Sequence, residues 1–145
     1  MKLIIQTLLI VLFNILFIGN GLSQDGHIGK WKYIEEGRAA FMNLDADNIA
    51  YLTDDSDTLG GRDFLIEGLR ASLIYEVDYT VYPNTIDLII VLIDTNQEVE
   101  RLFGIFELIS DDELKVCLNF SEAIRPDGFT EEYQSDTMSF LRVKE

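Results

Sequence analysis

The sequence predicts an all-β fold, an antiparallel up-and-down barrel of about eight strands, and three observations predict it. From Gly29 onward, strand-length runs of β-branched, aromatic and leucine residues recur between clusters of Gly, Asn, Asp and Ser. No internal stretch carries a helical period of comparable strength. The connections are mostly short and local, whereas parallel pairing needs crossovers of about a dozen residues or more, so neighbouring strands run antiparallel. A sheet of that many strands leaves two unpaired edges unless it closes on itself, which favours a barrel over the alternative, a two-sheet sandwich.

The chain opens on an address rather than a strand. Lys2 precedes an apolar stretch from Leu3 to Ile18, interrupted by Gln6, Thr7 and Asn14, and the small-residue tail Gly19-Asn20-Gly21-Leu22-Ser23 follows. That order is the order of a secretory signal peptide, residues 1–23. Small side chains at Gly21 and Ser23 place cleavage after Ser23, with the bond after Gln24 as the alternative. The apolar stretch is shorter than the roughly 20 residues that span a bilayer. No cysteine lies near the cut to carry a lipid. The mature domain, residues 24–145, is therefore expected to be periplasmic or secreted, monomeric, and not inserted in a membrane once the leader is removed.

Within that domain Gly29 to Glu35 reads as the first strand, and Gly37 turns it into a second, Arg38 to Leu44. Asp45 to Asn48 is a turn cluster, Ile49 to Thr53 a short strand, and Asp54 to Gly61 an acidic, glycine-ended loop. Arg62 to Ala71 fits neither period cleanly and reads as a strand with a bulge at Gly68. Leu73 to Tyr82 alternates, with Leu73, Tyr75, Val77, Tyr79 and Val81 on one parity. Pro83-Asn84 turns the chain into Ile86 to Ile93, the most apolar strand. Asp94 to Gln97 is a hairpin turn, Val99 to Ile109 runs back, and Glu113 to Leu118 follows a polar turn at Ser110-Asp111-Asp112. Phe120 to Ser135 is a long polar connection, and Thr137 to Lys144 is the closing strand.

Composition bounds the chemistry. At 145 residues and 48% apolar, the chain is sized for one domain and one core. Twenty-six acidic residues against 11 basic ones give a formal charge of −15, a field that repels phosphate backbones and anionic lipid, so neither nucleic acid nor a membrane surface is an expected partner. One Cys and one His exclude an internal disulfide and the usual four-ligand zinc site. Cys117 reads as a small buried hydrophobe, and His27 as an ordinary residue of a mobile new N-terminus. Asp54, Asp55 and Asp57 do not fit a calcium loop, because counting from Asp55 puts Leu59 and Ile66 where oxygen ligands belong. Gly60-Gly61 lacks the Lys-Ser/Thr of a phosphate loop. No metal and no cofactor is expected.

Two places carry a resemblance. Gly29-Lys30-Trp31 resembles the G-x-W opening of lipocalins and their relatives. Further on come Tyr79, Pro83 to Leu88, Gly104 to Leu118, and Arg125-Pro126 with Phe129. In that order and spacing they look like the small lipocalin-like domain of secreted bacterial proteins of unknown function. That family's pattern is G-x-W, P-x-x-I-D, G-I-Y-E-L, D-x-L-K-x-C and R-P-x-x-F. Phe106 stands in place of the pattern's tyrosine, and nothing between Ala39 and Ser72 matches. The resemblance implies a lipocalin-like barrel and export, and it brings no catalytic residue, cofactor or ligand. It also implies that Trp31 plugs one barrel end under an arginine from late in the chain. Arg142 is the preferred candidate for that closure and Arg125 the other, with anchoring of the long connection as Arg125's alternative task.

Three functions follow as expectations. The first is non-catalytic binding of a small apolar or amphipathic ligand inside the barrel, with Tyr75, Tyr79, Phe103 and Phe106 as candidate lining residues. The second is a solid-core module whose acidic exterior meets a protein partner. The third is a hydrolase built on a carboxylate pair such as Asp87 and Glu107, with Asp87 set in an otherwise apolar strand, where it needs a cationic partner or a place at the rim.

Overall fold

The computed structural model describes residues 24–55 and 57–145; the expected signal peptide, residues 1–23, lies outside the described residues. The strands are β1 (Gly29–Glu35), β2 (Arg38–Leu44), β3 (Ala50–Asp54), β4 (Asp57–Gly60), β5 (Phe64–Ile66), β6 (Leu69–Asp78), β7 (Asn84–Leu92), β8 (Glu98–Ser110), β9 (Glu113–Leu118) and β10 (Thr137–Arg142). All pairings are antiparallel, and the sheet order β4-β3-β2-β1-β10-β9-β8-β7-β6-β5 joins the first strand to the last. The two ends of the sheet then meet across a short seam. Ile49 bridges Ile74, and the Tyr75 and Leu73 amides donate to the carbonyls of Asn48 and Gly61 at 2.9 Å each. The result is a nearly closed antiparallel barrel.

Ten strands replace the expected eight, for two local reasons. The acidic stretch after β3 is not a loop throughout: Asp55 takes a positive φ of 37°, and Asp57 to Gly60 returns beside β3 as β4. The stretch from Arg62 to Ala71 is not one bulged strand. Glu67 and Gly68, at φ 50° and 82°, make a two-residue turn that splits it into the β5–β6 hairpin. Positive φ at both central positions matches the right-handed twist of paired strands. Glu36-Gly37 makes the same turn between β1 and β2, at φ 50° and 79°.

Alternation sets the inside. Trp31, Met42, Tyr75, Leu88, Phe106 and Leu114 belong to one buried cluster on the inward faces. The outward face of β7 to β9 is also covered in places: Asp87, Ile89, Ile105 and Cys117 are buried although their parity points away from the interior. The connection from Asn119 to Asp136, ending in a 3-10 turn over Glu131–Asp136, lies against this outer face. The Asn119 amide donates to the Phe103 carbonyl (3.0 Å), the Lys115 ammonium sits 4.5 Å over the Phe129 ring, and Cys117 Sγ lies 4.0 Å from the Tyr133 carbonyl. Burial raises the Cys117 thiol pKa, so it stays protonated as a small apolar filler.

Candidate functional site

The two ends of the barrel differ in what fills them. At one end Trp31 is fully buried and opposite Arg142 in the β1–β10 ladder. The guanidinium lies 4.1 Å over the indole, and each of its nitrogens donates to a backbone carbonyl: Nε to Asp111 (2.6 Å), Nη1 to Ile28 (2.8 Å) and Nη2 to Gly26 (2.7 Å). The indole N–H donates to the His27 carbonyl at 2.8 Å. Gly29 makes room for this arrangement, because a Cβ there would stand 2.5 Å from Arg142 Nη1, and its φ of 140° disfavours any other residue.

His27 is not a mobile terminal residue. It is 4% exposed, its Nδ1 lies 2.7 Å from the Tyr79 hydroxyl in a hydrogen bond, and its ring meets Tyr75 at 5.5 Å and Phe106 at 6.2 Å. A place four residues past the expected cut after Ser23 gives no hint of this in sequence; the segment is held by the Trp31 and Arg142 hydrogen bonds. Burial lowers the imidazole pKa and outweighs the opposing charge of Asp25. Burial likewise pushes the Tyr75 hydroxyl up to about 12, and that hydroxyl donates to the Asp45 carbonyl at 2.5 Å. Aromatic rings therefore fill the barrel interior at this end.

The other end is open. A cavity of about 340 Å³ runs in between Tyr33, Met42, Leu52, Leu88, Leu102 and Leu118. Phe140 lies at its base, and Thr53, Asp54, Asp57 and Phe120 stand around its mouth. Most of its lining has inward parity, on β1, β2, β3, β4, β7, β8, β9 and β10, with Phe41 and Thr53 of the opposite parity at its edge, so it opens off the barrel interior.

None of the four residues expected to line a cavity lines this one. Tyr75 and Phe106 point inward but belong to the solid end, and Tyr79 joins His27 beside a polar hollow of about 350 Å³ that Asn48 and Asp78 also border. Phe103 has outward parity on β8, opposite Asp87, and lies under the Arg125 guanidinium at 5.2 Å. The lining mixes aliphatic residues such as Leu52, Leu88, Leu102 and Leu118 with rings such as Tyr33 and Phe140; strand parity counted from Trp31 marks these as inward but marks Tyr75 and Phe106 as well, so it does not single them out.

Asp87 is on the outer face. Arg125 binds it in a fork, Nη1 to Oδ1 at 2.5 Å and Nη2 to Oδ2 at 3.0 Å, and also donates to the Gly104 carbonyl at 2.7 Å. Arg101 reaches Asp87 at 2.9 Å while holding Glu98 and Glu76. Burial pushes the Asp87 carboxyl up, but the hydrogen bonds and charges of the two guanidiniums more than offset it, so its pKa lies below the ordinary value. Glu107 faces the same side four ladder positions away, opposite Lys115. The two carboxylates share no cleft. Arg125 thus takes no part in covering Trp31; it clips the long connection to β7 and β8. Among the described residues no group of three or more His, Cys, Asp or Glu side chains is placed to hold a metal ion.

No family model, no curated protein and no solved structure matches this chain.

Proposed function

We propose that the protein is an exported, lipocalin-like barrel that binds a small apolar or amphipathic molecule without transforming it. The observation that carries this reading is the open cavity of about 340 Å³ with hydrocarbon walls, a size at the lower end of small-molecule sites. Unfilled apolar space costs stability, so an interior that served packing alone would be filled. The plug of Trp31 under Arg142 supports the same reading: with one end sealed, a ligand enters and leaves by one mouth. The locking of Asp87 between two guanidiniums weighs against a carboxylate-based hydrolase, and the cavity weighs against a solid-core interaction module.

Fluorescence titration with the neutral probe phenylnaphthylamine tests the proposal. The native chain is expected to give a saturable signal rise at one probe per chain. Leu102→Trp, which fills the middle of the cavity, is expected to weaken binding about tenfold, the equivalent of ~1.4 kcal/mol of lost apolar burial. A native chain that gives no saturable signal, or a folded Leu102→Trp chain that binds the probe as tightly, overturns it.

A further inference from the structure

The mouth of the cavity has a charge pattern of its own. On β3 the inward parity runs Ala50, Leu52, Asp54, and on β4 it runs Asp57, Leu59. Leu52 faces Leu59 across the ladder, and Asp54 faces Asp57 directly. Like charges at directly opposed positions destabilise a strand pair. Neither carboxylate is held by an ion pair or hydrogen bond among the described residues. Both border the apolar cavity, whose lining includes no lysine and no arginine. On the neighbouring wall Glu35 pairs with Arg38, and these two border a small side hollow with Tyr33 and Asp54. The charged side chains that line the cavity and this hollow are thus Asp54, Asp57 and Glu35 against Arg38; Asp55 sits in the turn between the two aspartates, and Lys30 and Lys32 lie to the outer side, over the Phe41 ring at 4.9 and 5.8 Å.

We infer that the cavity takes an amphipathic cation, an alkyl or aryl body ended by an ammonium group that sits between Asp54 and Asp57. The inference rests on the cavity being a binding site, as proposed above, and names the chemistry that fits it. An apolar body is matched by Leu88, Leu102 and Leu118. A cationic head relieves the repulsion between the opposed aspartates, an anionic head adds to it, and an uncharged head gains nothing from either. A bare metal ion would find too few oxygen donors, because the walls next to the pair are Leu52 and Leu59. The chain's formal charge of −15 adds a long-range attraction for the same sign of ligand.

Displacement of phenylnaphthylamine by three ten-carbon amphiphiles of equal tail, decylammonium, decanol and decanoate, tests the inference at low salt and neutral pH. Decylammonium is expected to displace the probe at concentrations about fivefold below decanol, from one close charge pair in a watery setting, and decanoate only above decanol. In the Asp54→Asn/Asp57→Asn chain decylammonium falls to the level of decanol while the probe binds as before. High salt on the native chain does the same and needs no variant to fold. Decanoate displacing as well as decylammonium, or a preference for decylammonium that survives both salt and the double substitution, overturns the cationic head group alone. A native chain that does not hold the probe overturns the cavity and the head group together.

Discussion

Arg142 joins three separate pieces of chain through one side chain. Its donors take the carbonyls of Gly26 and Ile28 in the N-terminal segment and of Asp111 in the β8–β9 turn, while its plane covers the indole of β1. A lysine there would keep the charge and lose the fork, so the site is specific for a guanidinium. His27 depends on the same contacts and gives them a pH signature. Its folded-state pKa is lowered by burial, so the unfolded chain takes up the proton first as pH falls. The stability it contributes is complete above its unfolded value of about 6.5 and is lost as pH drops toward the folded value. Urea denaturation is expected to show a lower midpoint at about pH 5 than at about pH 7.5, and His27→Phe, in the chain's one histidine position, is expected to flatten that difference. An equal pH slope in both chains would show that His27 is not what titrates.

The connection after β9 behaves as an element although it contains little regular structure. It is fastened by Asn119, which caps its own loop through the amides of Ser121 and Glu122 (3.1 Å each) and the carbonyl of Ile124 (2.9 Å), and by Arg125 on Asp87. Pro126 next to it is fully buried. Asp87→Asn keeps the shape and removes the charge that two guanidiniums converge on. The expected cost is about 2–3 kcal/mol, below the figure for a wholly buried pair because both arginines are partly exposed. Chemical denaturation reads that cost, and hydrogen exchange is expected to localise the loosening to residues 119–126. A substitution that costs nothing would mean the connection is held by packing alone. At the same scale the β5–β6 hairpin was legible in sequence after all: Glu67-Gly68 repeats the Glu36-Gly37 dipeptide and makes the same turn. What hid it is the shortness of β5, whose three residues are too few to show a period.

The whole barrel is held unevenly. The wall from β6 to β9 pairs over long ladders, eight residue pairs between β6 and β7 alone, whereas the seam between β3 and β6 rests on one bridge and a few amide bonds. β4 and β5 are short, four and three residues, and of the two only β4 lines the cavity, through Asp57 and Leu59. Opening is therefore expected at this seam before anywhere else in the wall. In native-state hydrogen exchange the seam amides of Leu73 and Tyr75 are expected to exchange faster than the central β7 amides from Ile86 to Ile90. Bound ligand is expected to slow the Leu73 amide more than that of Trp31 at the solid end, because the cavity wall includes Leu52 and Leu59 next to the seam. Uniform exchange across the sheet would mean that the seam is as firm as the ladders.

By itself the sequence determined the antiparallel meander and the bounds of its stronger strands. β1, β2 and β9 run over the residues their alternation marks, because a period of two in apolar side chains is imposed locally by the pleat. It also marked Asp87 as a carboxylate in need of a cation, whereas the closure of Trp31 by Arg142 or Arg125 was implied only by the lipocalin-like resemblance. Only the tertiary structure decided which end of the barrel is solid, which arginine goes where, and which residues face the void. Those outcomes depend on barrel curvature and on how deep each inward side chain reaches. Phe103 and Leu102 are adjacent in the chain, yet one lies under Arg125 outside and the other lines the cavity. Periodicity fixes the alternation of faces; closure of the sheet fixes which face is the interior and how much of it is left unfilled.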